Sequence, residues 1–358
     1  MPRRSIFCTL AAALALMIAA APAQAGVANA GVANASKTNP LAGIPWGNYT
    51  GQNDEIYTSS SYQDATGHAR QLLNIVARGP RMRWYGPWYP DSTIRQTAQA
   101  YIANATGGNP NVMAQVAIFR LNPWESQACS QLPTAAQQAS YRYWISEFAA
   151  GIGSSRVALV LQPDLPFALC VPHHSPVPLQ LVSYAARVFS ALPHTTVYID
   201  AGAGDWPTVG QAVKLLRAAG VRYARGFALN ATHYDPTGNE VRFAAAVARA
   251  LAKAGFPNRH AVINTSSNGH GFTFQQYHGS DYDNAPACTH RTQQHCVSLG
   301  IPPTTNVASA KWGLSRATRK LAARYVDAYL WIGRPWLYNQ NDPFDPARAE
   351  LLAATSPF

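Results

Sequence analysis

Charge is scarce in this chain. Asp, Glu, Lys and Arg make up 13% of its 358 residues, and the acids are the rarer sign, 17 against 28 Lys and Arg. The formal net charge of +11 falls to about +9 without Arg3 and Arg4. A positive balance admits nucleic acid or anionic surfaces as partners. The arginines are scattered, however, and no lysine-rich stripe occurs, so no nucleic-acid partner is expected. Beyond the N-terminus no stretch is apolar enough to cross a bilayer. The chain also lacks Cys-x-x-Cys and His-Glu-x-x-His, and His173-His174 falls in a proline-rich turn. No metal and no cofactor is therefore expected. No Gly-x-Ser-x-Gly elbow occurs, which argues against an esterase.

What is present begins with an export pattern. Arg3 and Arg4 supply a basic start, Ala11 to Ala21 is an uncharged apolar run, and Ala23-Gln24-Ala25 is a small-x-small cleavage site. The run is too short to span a membrane. Residues 1–25 are read as a signal peptide cleaved near Ala25, by the general or the twin-arginine route, which gives a secreted protein with no membrane association afterwards. Gly-Val-Ala-Asn-Ala then repeats at Gly26–Ala30 and Gly31–Ala35, so residues 26–40 are read as a low-complexity leader. Residues 41–358 carry no second linker and are read as one monomeric domain of the size that α/β barrels reach.

Cys8 leaves with the signal. Cys129, Cys170, Cys288 and Cys296 remain, an even number in an exported chain. Four cysteines allow about three pairings. Cys129–Cys170 and Cys288–Cys296 are favoured because each closes a local loop. The 9 Trp and 17 Tyr, set in a weakly charged chain, suit a protein that stacks neutral sugars on aromatic faces.

Apolar runs recur at Met82–Tyr85, Val112–Arg120, Val157–Gln162, Thr196–Ile199, Gly226–Leu229, Ala261–Asn264 and Ala328–Ile332. They are continuous rather than alternating, as in parallel strands covered on both faces. Helical patterns lie between them, at Ser140–Gly151, Leu179–Leu192, Val209–Gly220 and Val241–Gly255. Strand and helix in alternation predict an α/β fold, a distorted, partly open parallel β/α barrel of about seven strands, similar to a TIM barrel. Chemistry in such barrels sits at the C-terminal strand ends. Those ends deliver Trp84, Phe119 and Arg120, Gln162 and Asp164, Asp200, Asn230, Asn264 and Arg334. Asn230 and Arg334 are candidate substrate-binding residues.

Val160-Leu-Gln-Pro-Asp164 and Val197-Tyr-Ile-Asp-Ala-Gly202 resemble two motifs of glycoside hydrolase family 6. Further similarity runs through Gly226-Phe-Ala-Leu-Asn230, Val262-Ile-Asn-Thr-Ser266, Asn268-Gly-His-Gly271, Pro302-Pro-Thr-Thr-Asn306 and Asp327-Ala-Tyr-Leu-Trp-Ile332. It covers roughly Trp84 to the C-terminus. The resemblance implies a cellulase that hydrolyses β-1,4-glucosidic bonds with inversion, with a β-glucan as partner. It gives Asp164 the role of general acid, places Asp200 near the cleavage position, and makes Trp84 and Trp206 aromatic platforms.

The departures fall mostly at acidic positions. Where the family has Arg-Asp-Cys, this chain has Gln127-Ala128-Cys129, so the assisting Asp is Ala128. Gln162 stands for a glutamate, Phe119 for a tyrosine, and Asn339 for the candidate base Asp. The longer loop Leu121–Cys129 brings in Glu125. Two readings follow. In one, Asp164 donates the proton and Asp200, Glu125, Asp342, Asp345 or a water chain activates the water. In the other, the protein binds polysaccharide with an impaired site. The segment Cys288–Ala310 is too short to roof the cleft, so an open cleft is expected.

Overall fold

The computed structural model describes Asn34 and residues 36–358. The expected signal peptide and the first leader residues lie outside the described residues. Seven parallel strands form one sheet in chain order: β1 (Arg83–Tyr85), β2 (Ala114–Ile118), β3 (Val157–Leu161), β4 (Thr195–Asp200), β5 (Gly226–Leu229), β6 (His260–Asn264) and β7 (Val326–Leu330). Each strand is followed by a helix or a loop on the way to the next. The helices that cover the sheet include α1 (Ile94–Thr106), α2 (Ala135–Ile152), α3 (Val177–Ser190), α4 (Val209–Ala218), α5 (Thr237–Lys253) and α6 (Arg316–Tyr325). The predicted strands and helices all form. α2 starts five residues earlier than its apolar pattern, because Thr134 and Gln137 make a capping box.

The alternation of side chains along each strand builds two cores. One face packs under the helices through Val157, Leu159, Leu161, Val197, Ile199, Phe227 and Leu229. The other fills the barrel interior with Ala158, Val160, Tyr198, Ala228, Val262, Ala328 and Leu330. Burial on both faces is why these runs read as continuous apolar sequence.

The sheet curls but does not close by a ladder between β1 and β7. Met82 N donates to Trp331 O at 2.9 Å across that seam. The Trp84 indole Nε1 donates to Ile332 O at 2.7 Å, so a side chain closes the gap that strand pairing leaves.

Asn34 and Asn39, in the described part of the expected leader, bond to the barrel. Asn34 Oδ1 accepts from Val197 N and Arg225 N, at 2.8 and 3.0 Å, and its Nδ2 donates to Thr195 O at 2.7 Å. Asn39 Nδ2 donates to Asp327 O. An asparagine side chain offers the same donor and acceptor as a peptide group, so it can bind the strand ends as a peptide group would. Beside it Arg225 holds Asp327 through two hydrogen bonds of 2.8 and 3.0 Å, and the Tyr198 hydroxyl donates to the same carboxylate. Asp327 is free to face Arg225 because β7 is out of register there, with Ala261 opposite Val326 and Val262 opposite Ala328.

Candidate active site

The C-terminal strand ends surround a cleft of about 500 Å³. Trp84, Trp88, Phe119 and Arg334 line it on the side of β1 and β7; Trp206, His233, Phe274 and Tyr282 line it on the side of β4 to β6. Asp164, Thr232, Glu125 and Asp283 are also on its surface.

Several of the residues around it are left-handed without being glycine: Glu125, Gln162, Asp164, Asn230 and Asn339, with φ of 54°, 55°, 64°, 65° and 48°. Asp and Asn tolerate this region, whereas Glu and Gln seldom adopt it. Such backbone costs on the order of 1–3 kcal/mol per residue and persists where the surrounding structure imposes it.

Asp164 is 8% exposed. Burial is the main influence on its carboxyl and pushes it up to about 7. A hydrogen bond from Thr232 Oγ1 to Oδ1, 2.6 Å long, opposes the rise, and the nearby Glu125 carboxylate adds to it. With Oδ1 accepting from Thr232, the other oxygen is the one left to carry a proton.

Asp200 sits lower. It is 1% exposed and does not line the cleft; its Oδ1 accepts from Gly202 N at 2.9 Å. Burial first, and the facing Asp164 second, hold its carboxyl well above the usual carboxylate range. Asp200 therefore lies off the cleft surface on which Asp164, Glu125 and Asp283 stand, away from where a group that activates water is expected.

Two more expectations change. Asn230 is fully buried, and its Nδ2 donates to the carbonyls of Asp235 and Asn264. It ties two strand ends together and presents nothing to a ligand. Gln162 is equally buried, and its Oε1 accepts from Arg120 N and Leu121 N, which fixes the start of the long loop after β2. Asp345 caps the C-terminal helix Pro346–Ala354 by accepting from Arg348 N, and Asp342 is exposed outside the cleft lining.

Glu125, Arg334, Asn339, Trp84 and Trp206 do meet at the cleft. The Arg334 guanidinium lies 4.7 Å from the centre of the Trp84 ring. The disulfide Cys129–Cys170 joins the short 3-10 turn Glu125–Cys129 to the turn Leu165–Leu169, and so links the loop of Glu125 to the loop of Asp164. Cys288–Cys296 closes the second predicted loop. Ala128 is buried in the core and does not face the cleft.

In the wall opposite Trp84, Trp206 has partners that no sequence motif singles out. His233 stacks on Trp206, with ring centres 4.9 Å apart and planes 13° apart, and its Nδ1 bonds Asp205 Oδ1 at 2.8 Å. Burial, the largest influence, would raise the Asp205 carboxyl; the hydrogen bond and charge of His233, with backbone donors such as Phe274 N, together outweigh it and hold it below its usual value. Asp205 Oδ2 accepts from Phe274 N, and Phe274 meets Tyr282 edge-on. Thr232 and His233 follow Asn230 by two and three residues, so reading a little past the end of β5 would have found them. Phe274, Tyr282 and Asp283 come from the loop after β6, and no residue of 288–310 lines the cleft.

Residues 45–337 match the model of Glycosyl hydrolases family 6. Endoglucanase 1 of Streptomyces halstedii is 31% identical over 215 residues, which cover 57% of this chain and 64% of that protein, less than two thirds of its length. Endoglucanase 1 of Streptomyces sp. (strain KSM-9) is 28% identical over 291 residues, 79% of this chain and 71% of that protein. Among solved structures, the endoglucanase Cel6 from Mycobacterium tuberculosis, in complex with methyl-cellobiosyl-4-deoxy-4-thio-β-D-cellobioside, superposes with a TM-score of 0.72 at 26% identity, over 90% of this chain and all of that one. The order of the strands, the placement of the cleft and the match over most of the length agree: the chain belongs to glycosyl hydrolases family 6.

Proposed function

We propose that this protein is a secreted glucanase that hydrolyses β-1,4-glucosidic bonds of cellulose or a related β-glucan with inversion, working as a monomer. The observation that carries the reading is Asp164: a carboxyl pushed up to about 7, in an aromatic-walled cleft, with one oxygen already engaged by Thr232. Cleavage with inversion needs an acid that protonates the leaving oxygen and a base that takes a proton from the attacking water. Asp164 supplies the proton to the leaving oxygen. The water's proton passes to a cleft carboxylate; besides Asp164, Glu125 and Asp283 are the two there with no ion-pair partner among the described residues. Burial raises both, which makes each a better base once ionised. The ligand named with the mycobacterial endoglucanase supports a cello-oligosaccharide occupant.

A second reading, a polysaccharide-binding protein without turnover, is favoured by one observation. Asn339 stands in the cleft wall where the family resemblance expects a carboxylate. Product analysis on cellulose, mixed-linkage glucan and xylan separates the two, with Asp164→Asn as control. Turnover by the wild type that the variant loses supports the first reading. Binding without turnover on any β-glucan supports the second.

A further inference from the structure

Asp235 and Glu240 flank the start of α5 and are buried, at 1% and 0% exposure. Each has one oxygen in an ordinary hydrogen bond. Asn239 Nδ2 donates to Asp235 Oδ1 at 2.8 Å, and Gly204 N donates to Glu240 Oε1 at 2.7 Å. The remaining oxygens, Asp235 Oδ2 and Glu240 Oε2, are buried and have no donor among the described residues. Both carboxyls converge on one glycine: a Cβ on Gly204 would lie 2.8 Å from Asp235 Oδ2 and 3.5 Å from Glu240 Oε1.

Two adjacent buried carboxylates resist ionising together, and a buried acceptor without a donor is costly. One proton held between Oδ2 and Oε2 relieves both conditions. We propose that Asp235 and Glu240 share a proton, and that the protonated pair positions the loop Gly204–Trp206 as one wall of the cleft. That loop carries Asp205, which holds His233 and Phe274, and Trp206, on which His233 stacks. Losing the proton puts two negative charges side by side under Gly204, and the wall is displaced. These are positioning residues that touch no substrate. The effect on turnover rests on the glucanase reading; the effect on the wall does not.

The direction of the titration follows from the surroundings. Burial, then the Asp235 charge, drives Glu240 well above the usual carboxylate range, and Asp205 adds to it. Burial also raises Asp235, against the hydrogen bonds from Asn239 and Glu240; Asp205 raises it further and His233 lowers it. Arg242, one turn along α5, bonds Asn239 and not the pair. A carboxyl raised on folding stabilises most while protonated, and that contribution is lost as pH rises through its folded value.

The test is to replace the titrating donor by a permanent one. In Glu240→Gln the amide nitrogen donates to Asp235 Oδ2 at every pH, while the amide oxygen still accepts from Gly204 N. Asp235→Asn makes the reciprocal replacement and covers a failure of the first variant to fold. Thermal midpoint and cellotetraose affinity are measured against pH for wild type and both variants. The expected result is a several-fold loss of affinity on the alkaline side in wild type, with a falling midpoint, both flattened in the variants. The alkaline limb of kcat, set by Asp164, stays where it is. Variants whose midpoint and affinity follow the wild-type pH curve overturn the proposal. If wild type hydrolyses no β-glucan, the proposed function fails while the midpoint curves still decide the shared proton.

Discussion

Thr232 Oγ1 donates a 2.6 Å hydrogen bond to Oδ1 of Asp164, from the neighbouring side of the cleft. The bond stabilises the ionised form and holds the carboxyl below the value that burial alone would impose. Removing the hydroxyl in Thr232→Val should raise Asp164 further. Because the acid works while protonated, the alkaline limb of the activity profile should move to higher pH from about 7. The free-enzyme profile, kcat/KM against pH, reads this. A limb that stays put or moves to lower pH would show that another group sets it.

The same carboxyl has a stability consequence. Asp164 is raised on folding, so its contribution is present at acid pH and is lost as pH climbs through about 7. Asp200 shifts in the same direction. Thermal unfolding followed at rising pH should show a falling midpoint, and the fall should shrink in Asp164→Asn, whose side chain does not titrate.

The barrel was legible because both strand faces are apolar: Gly226–Leu229 forms with the limits its sequence suggests, and Val157–Leu161 stops one residue short of its expected end. Asp164 was legible through its motif. Asn230 was misread because a polar residue at a strand end looks the same whether it serves a ligand or the turn, and only burial separates the cases. His233 and Asp205 escaped notice because their pairing joins loops 28 residues apart, which no local pattern reports. The docking of Asn34 was hidden by its low-complexity context, since its partners lie on β4 and at the start of β5.

Ala128 shows how alignment and geometry part. Restoring the family's acid by Ala128→Asp looks like a gain if the loop faces the cleft, but the position is 2% exposed and belongs to the apolar core. A carboxyl placed there meets no donor set built for it and should cost on the order of 2–5 kcal/mol of stability. The expected outcome is a lower unfolding midpoint with no gain in turnover, read by denaturant titration beside an activity assay.

The two tryptophans should behave differently. Trp84 closes the β1–β7 seam through its bond to Ile332 O and is 8% exposed, so Trp84→Ala should cost about 3–5 kcal/mol of stability. Trp84→Phe keeps an aromatic face but loses the seam bond, and should fall between. Trp206 is partly exposed, with one face against His233. Trp206→Ala should leave the fold near wild type while cello-oligosaccharide affinity drops about tenfold, on the order of 1.4 kcal/mol. Calorimetric titration with cellotetraose beside thermal unfolding separates the roles. Unchanged affinity in Trp206→Ala would remove it from the binding surface.

The most direct test of the mechanism is Asp164→Asn. The substitution keeps the size of the side chain and an acceptor for Thr232, and removes the proton. A positioned general acid contributes roughly a hundred- to ten-thousand-fold, so kcat on β-glucan should fall within that range. The loss should shrink on a substrate whose leaving group is already acidic, because such a group departs without a proton, whereas a damaged fold or a lost sugar contact would penalise both substrates alike. The alkaline limb near 7 should also vanish from any residual activity, since the group that defines it is gone. Cellotetraose affinity should hold, because the aromatic walls are untouched. An Asp164→Asn enzyme that hydrolyses β-glucan as fast as wild type would move the acid elsewhere, and Glu125, joined to the same pair of loops by the Cys129–Cys170 disulfide, would be the next carboxyl to replace.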